Sequence, residues 1–267
     1  NPLSLVLAFI TAIVIVMTSI PTIVNVARIK NLNDEPGRRK AHKKIVPTLG
    51  GIAIYAGIII SGLLFIRFSI VPEFQYIVIA SVILFFIGIK DDILIIAPTK
   101  KLMGQIIASL IIIIMGDFRF TSLHGFLGYQ IIPYWFSVIL TLFVFIVIIN
   151  GVNLIDGIDG LASGVGVLAS VAFGTWFFLS GEYEYAIVAI AVFGSLISFF
   201  YFNVFGRNNK IFMGDTGSLM IGLFMAVFAV KFCEVNIDVN TPFYIHAAQS
   251  VPFAFLLLPC FVTMRFF

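Results

Sequence analysis

The strongest constraint on this chain is a series of long apolar segments that carry few or no charged residues. There are nine: Leu3 to Val24, Gly50 to Ile66, Phe74 to Ile89, Leu102 to Gly116, Ile131 to Ile155, Leu161 to Gly181, Tyr185 to Phe205, Thr216 to Val230 and Ala247 to Met264. With 61% hydrophobic residues and a mean hydropathy of +1.13, the composition lies outside the soluble range. Several segments are shorter than the roughly 20 residues of a full crossing, so flanking Lys, Arg and aromatic side chains must extend them. We therefore predict an all-α polytopic membrane protein with about nine transmembrane helices.

Basic residues are distributed unequally between the two ends of these segments. If the segments alternate in direction, thirteen of the 16 Lys and Arg residues fall on one side and only Arg67, Arg119 and Lys231 on the other. The positive-inside rule then places the thirteen in the cytoplasm and the N-terminus outside. The net charge of +3 is a sum over a polarised molecule, and it does not indicate a nucleic-acid partner.

The chain shows no long linker and no internal repeat, so we predict a single transmembrane domain over residues 1–267. The first ten residues contain no basic residue, which favours a retained helix over a cleaved signal peptide. Cys233 and Cys260 lack metal-ligand spacing and are expected to be core residues.

Acidic residues recur at the ends of segments on the predicted cytoplasmic side. They are Asp34, Glu35, Asp91, Asp92, Asp156, Asp159 and Asp215. In so apolar a chain, carboxylates at one membrane face indicate a cation, a proton or a charged substrate. Asp91 and Asp92 are adjacent and repel, so at least one should have a raised pKa unless a metal ion or a lysine compensates, as in a proton acceptor or a metal site; a helix end solvated by the cytoplasm is the alternative interpretation.

The segment from Asn150 to Gly160 is the most specific of these. Asn150, Asn153, Asp156 and Asp159 recur every third residue, which keeps them on one narrow side of a helix or its frayed end. The segment contains no Lys or Arg. The counter-charge must therefore come from another loop, a metal ion or a bound cation, because burial without one costs several kcal/mol per carboxylate or forces its protonation.

Two further inner loops are each open to two interpretations. Asp215 begins Asp-Thr-Gly-Ser, which either caps a helix or presents free backbone N–H groups to a phosphate. The loop from Asn33 to Lys44 carries five basic residues, as an anchor to anionic lipid headgroups would. Its continuation to Gly50 and Gly51 instead favours close approach to another helix or a ligand.

Four motifs, in order along nearly the whole chain, resemble the polyprenyl-phosphate N-acetylhexosamine-1-phosphate transferases of glycosyltransferase family 4. They are Arg39-Lys40-x-His42 with Pro47-x-x-Gly50-Gly51, Asp91-Asp92, Asn153-Leu-Ile-Asp156-Gly-Ile-Asp159-Gly160, and Phe212-Met-Gly-Asp215-Thr-Gly-Ser218. The first motif is more similar to the undecaprenyl-phosphate GlcNAc-1-phosphate transferase branch than to the phospho-MurNAc-pentapeptide transferases.

The resemblance implies transfer of GlcNAc 1-phosphate from UDP-GlcNAc to undecaprenyl phosphate, with release of UMP, at the cytoplasmic face of the bacterial inner membrane. It also implies Mg²⁺, with Mn²⁺ as a substitute. The partners are then a UDP-amino sugar, a polyprenyl phosphate and membrane lipids, and a homodimer is compatible with this. A phospho-MurNAc-pentapeptide transferase is one alternative, and an ion-coupled transporter is an alternative from another class.

By motif match, the resemblance also assigns roles to individual residues. Asp215, Asn153 and Asp156 correspond to metal ligands. Asp91, Asp92 and Asp159 correspond to catalytic carboxylates, with Asp91 removing the lipid-phosphate proton or positioning that phosphate. The expected substrate contacts are Phe212, which would stack on uracil, and Gly214, Lys101, His42, Arg39 and Lys43.

Members of this branch usually continue past the last segment with a His-rich loop and further helices. We therefore expect the given chain to lack C-terminal helices of the family. Val262 also stands where the family commonly has Asp before Thr263.

Overall fold

The computed structural model describes residues 2–30, 46–94, 96–123 and 131–236. These residues form eight α-helices, two of which end in a π-helical turn. The helices are α1 (Pro2–Ile29), α2 (Gly50–Phe65), α3 (Phe74–Leu94), α4 (Pro98–Leu110, continued by π turn Ile111–Met115), α5 (Tyr134–Ile155), α6 (Leu161–Leu179), α7 (Tyr183–Phe200, continued by π turn Tyr201–Phe205) and α8 (Gly214–Val235).

The helices correspond one by one to the first eight predicted apolar segments. Six of them are long and apolar enough to cross a membrane, namely α1, α5, α6, α8 and the continuous pieces formed by α4 and α7 with their π turns. The shorter α2 is also apolar. A multi-pass membrane protein is thus confirmed, and within the described ranges the chain forms isolated bridges but no strand. The ninth segment lies outside those ranges, so nine helices and the membrane orientation stay predictions.

Helix α8 is the centre of the bundle. It packs against α2, α3, α5 and α6, and its side chains from Thr216 to Val230 are almost all inaccessible to solvent. Helix α1 lies against α2 and α7, while α6 and α7 pack on each other as a hairpin. An apolar helix surrounded on all sides has its position fixed by neighbouring helices rather than by lipid.

Glycines allow two helices to approach the first turn of α8 closely. A Cβ atom on Gly51 would lie 2.1 Å from the amide nitrogen of Gly217, and one on Gly88 would lie 2.4 Å from the Cα atom of Thr216. These contacts are backbone to backbone, so no side chain can move aside to relieve them. Gly51, in the Gly-Gly pair that follows the basic loop, therefore allows α2 to approach α8 closely. Close approach to another helix is one of the roles that the sequence predicts for this pair.

We expect Gly88→Ala to destabilise the protein by about 1–3 kcal/mol, because the added methyl group forces α3 away from α8. A melting curve in detergent measures the effect. Gly157→Ala is the matched control, since a Cβ atom there meets nothing within 4 Å. Equal melting temperatures for the two variants would contradict the close approach of α3 and α8.

The two ends of the bundle carry separate sets of charged side chains. At one end Arg67 pairs with Glu184 at 2.7 Å, and Lys231 pairs with Glu182 at 3.4 Å. At the other end Lys101 pairs with Asp91 at 3.0 Å. Arg67 and Lys231 thus lie together at the end opposite the acidic motifs, as the alternating segments predict.

Candidate active site

The candidate site lies where α3 ends, α4 and α8 begin, and the connection from α5 to α6 runs. Lys101, in the first turn of α4, is its central cation. Its ammonium group contacts the carboxylates of both Asp91 and Asp215 and lies 3.4 Å from Oδ1 of Asn153. The Asn153 amide donates to Oδ1 of Asp215 at 2.5 Å and to the hydroxyl of Ser218 at 2.8 Å. Four separate elements therefore meet at one ammonium group.

Asp92 holds the N-terminus of α8. Its carboxylate accepts the backbone N–H of Asp215 at 2.7 Å and the backbone N–H and hydroxyl of Thr216 at 3.1 and 2.6 Å. The interpretation of Asp215 as a helix cap is therefore wrong, because a carboxylate from α3 satisfies these donors and leaves the Asp215 side chain free to face Lys101. Gly214 precedes this turn with a φ of +73°, which favours glycine.

The two adjacent carboxylates, which lie beyond the apolar run ending at Ile89, have different electrostatic environments. Burial raises the pKa of Asp92 to about 6 against the opposing effect of its hydrogen bonds. Burial also acts to raise the pKa of Asp91, but hydrogen bonds from the Ile96 N–H and from Lys101 outweigh it and lower that pKa. One of the pair thus has a raised pKa, but the predicted cause is wrong: burial raises it, together with the charge of Asp215 rather than that of the adjacent Asp91.

Asp156 follows the last residue of α5 and faces the first turn of α8. Its pKa is raised well above the ordinary value, first by burial and then by the negative charges of Asp215 and Asp92. The backbone N–H of Gly214 donates to it and partly offsets this. Within the described ranges no ion pair reaches Asp92 or Asp156, so these two carboxyl groups have no cationic side chain as a partner there.

A cavity of about 370 Å³ opens beside the central lysine. Its polar lining comes from Asp91, Lys101, Asn150, Asn153 and Asp215, and its apolar lining includes Leu102. Carboxylates, amides and an ammonium group thus border the same space, which is large enough for phosphate groups.

A second group of predicted residues lies around Lys210. Its ammonium contacts Asp159 at 2.5 Å and lies 5.7 Å from the centre of the Phe212 ring. Phe212 is held by residues at the start of α2. Its N–H donates to the carbonyl of Pro47 at 2.8 Å, and its own carbonyl accepts from the N–H of Gly50 at 2.9 Å. Asp159 and Phe212 therefore share one neighbour, Lys210.

Asn203 joins the two loops that carry this second group. Its Oδ1 accepts the N–H of Gly160 at 2.7 Å, and its Nδ2 donates to the carbonyl of Ile211 at 2.9 Å. It is 5% exposed and lies in the π turn that ends α7. Sequence reasoning assigned Asn203 no role; the only signal was a polar residue inside the apolar run from Tyr185 to Phe205.

We expect Asn203→Ala to lower the free energy of unfolding by about 1–3 kcal/mol, because two loop backbone groups lose a buried partner. Chemical unfolding in detergent measures this loss. Asn208→Ala is the control. Asn208 is exposed and accepts a hydrogen bond from Arg28 through its backbone carbonyl, which the alanine variant retains. A loss no larger than that of Asn208→Ala would mean that the Asn203 side chain does not join the loops.

Comparison with known sequences assigns this chain to a family. The profile of glycosyl transferase family 4 matches residues 74–233, which is more than half of the chain and includes all the acidic residues of the candidate site described above, together with Lys101 and Asn153. The chain belongs to glycosyl transferase family 4. The resemblance predicted from the four motifs is thereby confirmed.

Similar proteins come from several bacteria. An undecaprenyl-phosphate alpha-N-acetylglucosaminyl 1-phosphate transferase of Yersinia pestis is 31% identical over 194 residues, covering 72% of this chain and 53% of its own. A probable undecaprenyl-phosphate N-acetylglucosaminyl 1-phosphate transferase of Bacillus subtilis is 30% identical, with 85% and 62% covered. A phospho-N-acetylmuramoyl-pentapeptide-transferase of Listeria monocytogenes is 31% identical, with 84% and 72% covered. This family 4 chain spans about half the length of the Yersinia relative.

Not every predicted site residue of this family 4 chain can be placed. Arg39, His42 and Lys43 lie outside the described residues, as do Asp34, Glu35 and Val262. Their roles stay predictions. The structure brings Asp91, Asp215, Asn153 and Lys101 into one contact network, and places Asp92, Asp156 and Gly214 next to it.

Within the described part of the chain, no group of three or more His, Cys, Asp or Glu side chains is arranged to hold a metal ion. The predicted ligands Asp215 and Asn153 touch each other, whereas Asp156 faces the backbone of Gly214. The carboxyl and amide oxygens of Asp215, Asp156 and Asn153 nevertheless are ligand types that fit Mg²⁺ chemically. Mg²⁺ is usually held by one or two carboxylates together with substrate phosphates rather than by a complete protein cage.

Proposed function

We propose that this chain transfers an N-acetylhexosamine 1-phosphate, most simply GlcNAc 1-phosphate, from a UDP-sugar to a polyprenyl phosphate such as undecaprenyl phosphate. In this reaction a phosphate oxygen of the lipid forms a bond to the sugar-bearing phosphorus of the nucleotide. The bond from that phosphorus to the oxygen of UMP breaks, and UMP leaves with the electron pair. The products are a lipid-linked sugar diphosphate and UMP.

The observation that carries this proposal is the meeting of Asp91, Asp215, Asn153 and Lys101 beside an open cavity at one end of the bundle. A lipid phosphate and a nucleotide diphosphate are both anions, so their approach requires positive charge at the point of contact. Lys101 is placed to supply part of it. One diphosphate linkage replaces another, so positioning and charge neutralisation are the main contributions the protein must make.

We propose Mg²⁺, replaceable by Mn²⁺, as the cofactor, with Asp215, Asn153 and Asp156 as the residues that hold it. When bound, the ion supplies neutralising charge to the phosphate oxygens. The raised pKa of Asp156 supports this, because burial and two neighbouring carboxylates disfavour its ionised form and a bound cation would favour it.

The remaining carboxylates have different proposed tasks. Asp91 positions the lipid phosphate or takes its proton, since it borders the cavity together with Lys101. Asp92 acts on the first turn of α8, through the backbone of Asp215 and Thr216. Asp159 and Phe212 contact the uridine part of the donor, with Lys210 between them.

A second donor is supported by a specific comparison. The Listeria relative named as a phospho-N-acetylmuramoyl-pentapeptide-transferase aligns over 84% of this chain, so UDP-MurNAc-pentapeptide is the second candidate. We propose that the reaction takes place at the cytoplasmic face of the bacterial inner membrane, because alternation of the segments predicts thirteen of the 16 basic residues on the side of the acidic motifs. A homodimer stays a prediction.

Inverted membrane vesicles test the proposal. Radiolabelled UDP-GlcNAc, undecaprenyl phosphate and Mg²⁺ should give lipid-extractable label and an equal amount of UMP. An ion-coupled transporter would leave the sugar nucleotide intact inside the vesicles, and a lipid-binding scaffold without activity would bind undecaprenyl phosphate without forming UMP. Either of these results refutes the proposed transfer. UDP-MurNAc-pentapeptide in a parallel reaction separates the two donors.

A further inference from the structure

We propose that Gln105 and Asn150 form an amide pair that sets the register between α4 and α5, and thereby positions Lys101 against Asn153 and Asp215. Neither side chain is a catalytic residue in this proposal; both act through Lys101. The inference deepens the proposed function, because it rests on Lys101 being the central cation of the transferase site.

The two side chains bind each other reciprocally. The Asn150 amide donates to Oε1 of Gln105 at 2.7 Å, and the Gln105 amide donates back to Oδ1 of Asn150 at 3.3 Å. Asn150 also donates to the carbonyl of Ile146 within its own helix, at 2.8 Å. Gln105 is completely buried. A buried amide in an apolar bundle is costly unless paired, so Gln105 strongly favours the arrangement in which Asn150 is its partner.

The positions of the pair along the two helices tie it to the site. Gln105 follows Lys101 by four residues on α4, and Asn150 precedes Asn153 by three residues on α5, so each pair shares a helix face. The site lies at the start of α4 and at the end of α5. One turn from the amide pair toward the site therefore leads to Lys101 on one helix and to Asn153 on the other, 3.4 Å apart.

A small shift between the helices would separate these two groups. Sliding α4 by one residue moves it by about 1.5 Å along its axis and turns its side chains by about 100°. Lys101 would then leave its place between Asp91 and Asp215. Apolar contacts between lipid-embedded helices tolerate such slips, whereas a buried polar pair permits a single register.

Selective amine labelling tests this inference without requiring turnover. A succinimidyl ester modifies exposed lysines, and fragment mass spectrometry separates Lys101 from the neighbouring Lys100. Lys100 is exposed and serves as an internal reference, whereas the Lys101 side chain is only 14% exposed and bound by two carboxylates. The measured quantity is the ratio of labelling at Lys101 to labelling at Lys100.

The variants are chosen to match the native side chains in size. Gln105→Met, Asn150→Leu and the double variant remove the amide pair, while the exchange Gln105→Asn with Asn150→Gln retains it. We expect the labelling ratio to rise about tenfold in each single variant, since loss of one buried polar pair is worth that order of magnitude. The labelling ratio of the double variant should be no higher than that of the single variants. The exchange variant should have a ratio close to the native value. Ser109→Ala, one turn further along α4, is the control for packing and should leave the ratio unchanged.

Turnover should follow the labelling ratio, with kcat reduced more than KM is raised. A native labelling ratio in both single variants, or in the double variant, would overturn the inference, as would an exchange variant that behaves like the singles. A wild-type protein that forms no UMP would refute the proposed function and leave the labelling result valid, so the two failures are distinguishable.

Discussion

The Asp215→Asn variant is expected to lose at least about a thousandfold in turnover while keeping its fold, because the change removes a negative charge at the centre of the proposed site. The asparagine has the same size and can still bond with Asn153. Because its side chain is neutral, it can no longer form an ion pair with Lys101 or bind a divalent cation through a negative charge. The start of α8 should be unaffected, since Asp92 rather than Asp215 satisfies its backbone N–H groups. UMP release in vesicles measures the loss, and thermal unfolding in detergent measures the fold.

The matched control for this change lies at the other end of the bundle. Asp117 is also paired with a basic residue, Arg119, at 2.9 Å, but it is exposed and far along the chain from every acidic motif. Asp117→Asn should therefore leave turnover within a factor of about two, as expected for an exposed ion pair. Turnover of Asp215→Asn close to wild type at low Mg²⁺ would remove Asp215 from the site.

Lys101→Met should lower turnover by about a hundredfold or more, because it removes the ammonium group that lies between Asp91 and Asp215. The methionine fills a similar volume, so the helix contacts of α4 remain. Without the cation, the carboxylates repel each other and the incoming phosphates. The assay measures kcat and KM for undecaprenyl phosphate separately, and both should worsen.

Lys100→Met is the control, since it removes an equal charge from the next residue, which is exposed. It should reduce turnover only slightly, and high salt should mask the difference. Lys101→Arg should recover only part of the activity, because a guanidinium group cannot replace a compact ammonium group between two carboxylates. Equal losses for Lys100→Met and Lys101→Met would show a general charge effect and would contradict the central position of Lys101.

The helical membrane fold could be predicted from the sequence because lipid imposes a simple requirement on it. Each crossing needs a long apolar helix, and the eight described helices match the first eight apolar segments. The packing order could not be predicted in the same way. Nothing in the apolar run of α8 distinguishes a buried helix from a lipid-facing one, since lipid and protein interior favour the same side chains.

For the candidate site, the motifs predicted which residues would gather at one end of the bundle but not the contacts between them. Asp91-Asp92 at the end of α3 and the segment from Asp156 to Asp159 can be recognised because carboxylates are rare in so apolar a chain. The separate roles of these carboxylates depend on distances between elements that are remote in sequence. Sequence periodicity carries no information about those distances. A helix cap was thus one of two interpretations of Asp215, whereas Asp92, 123 residues earlier, fills that role. Asn203 and the Gln105–Asn150 pair were missed as structural links for the same reason.

Polar contacts connect α3 and α8 at both ends. Asp92 binds the first turn of α8, and at the far end Glu73, just before α3, accepts from Tyr185 at 2.7 Å and lies 3.9 Å from Lys231. These contacts oppose sliding of α3 along α8, so Asp91 and Asp92 keep a fixed position relative to the first turn of α8.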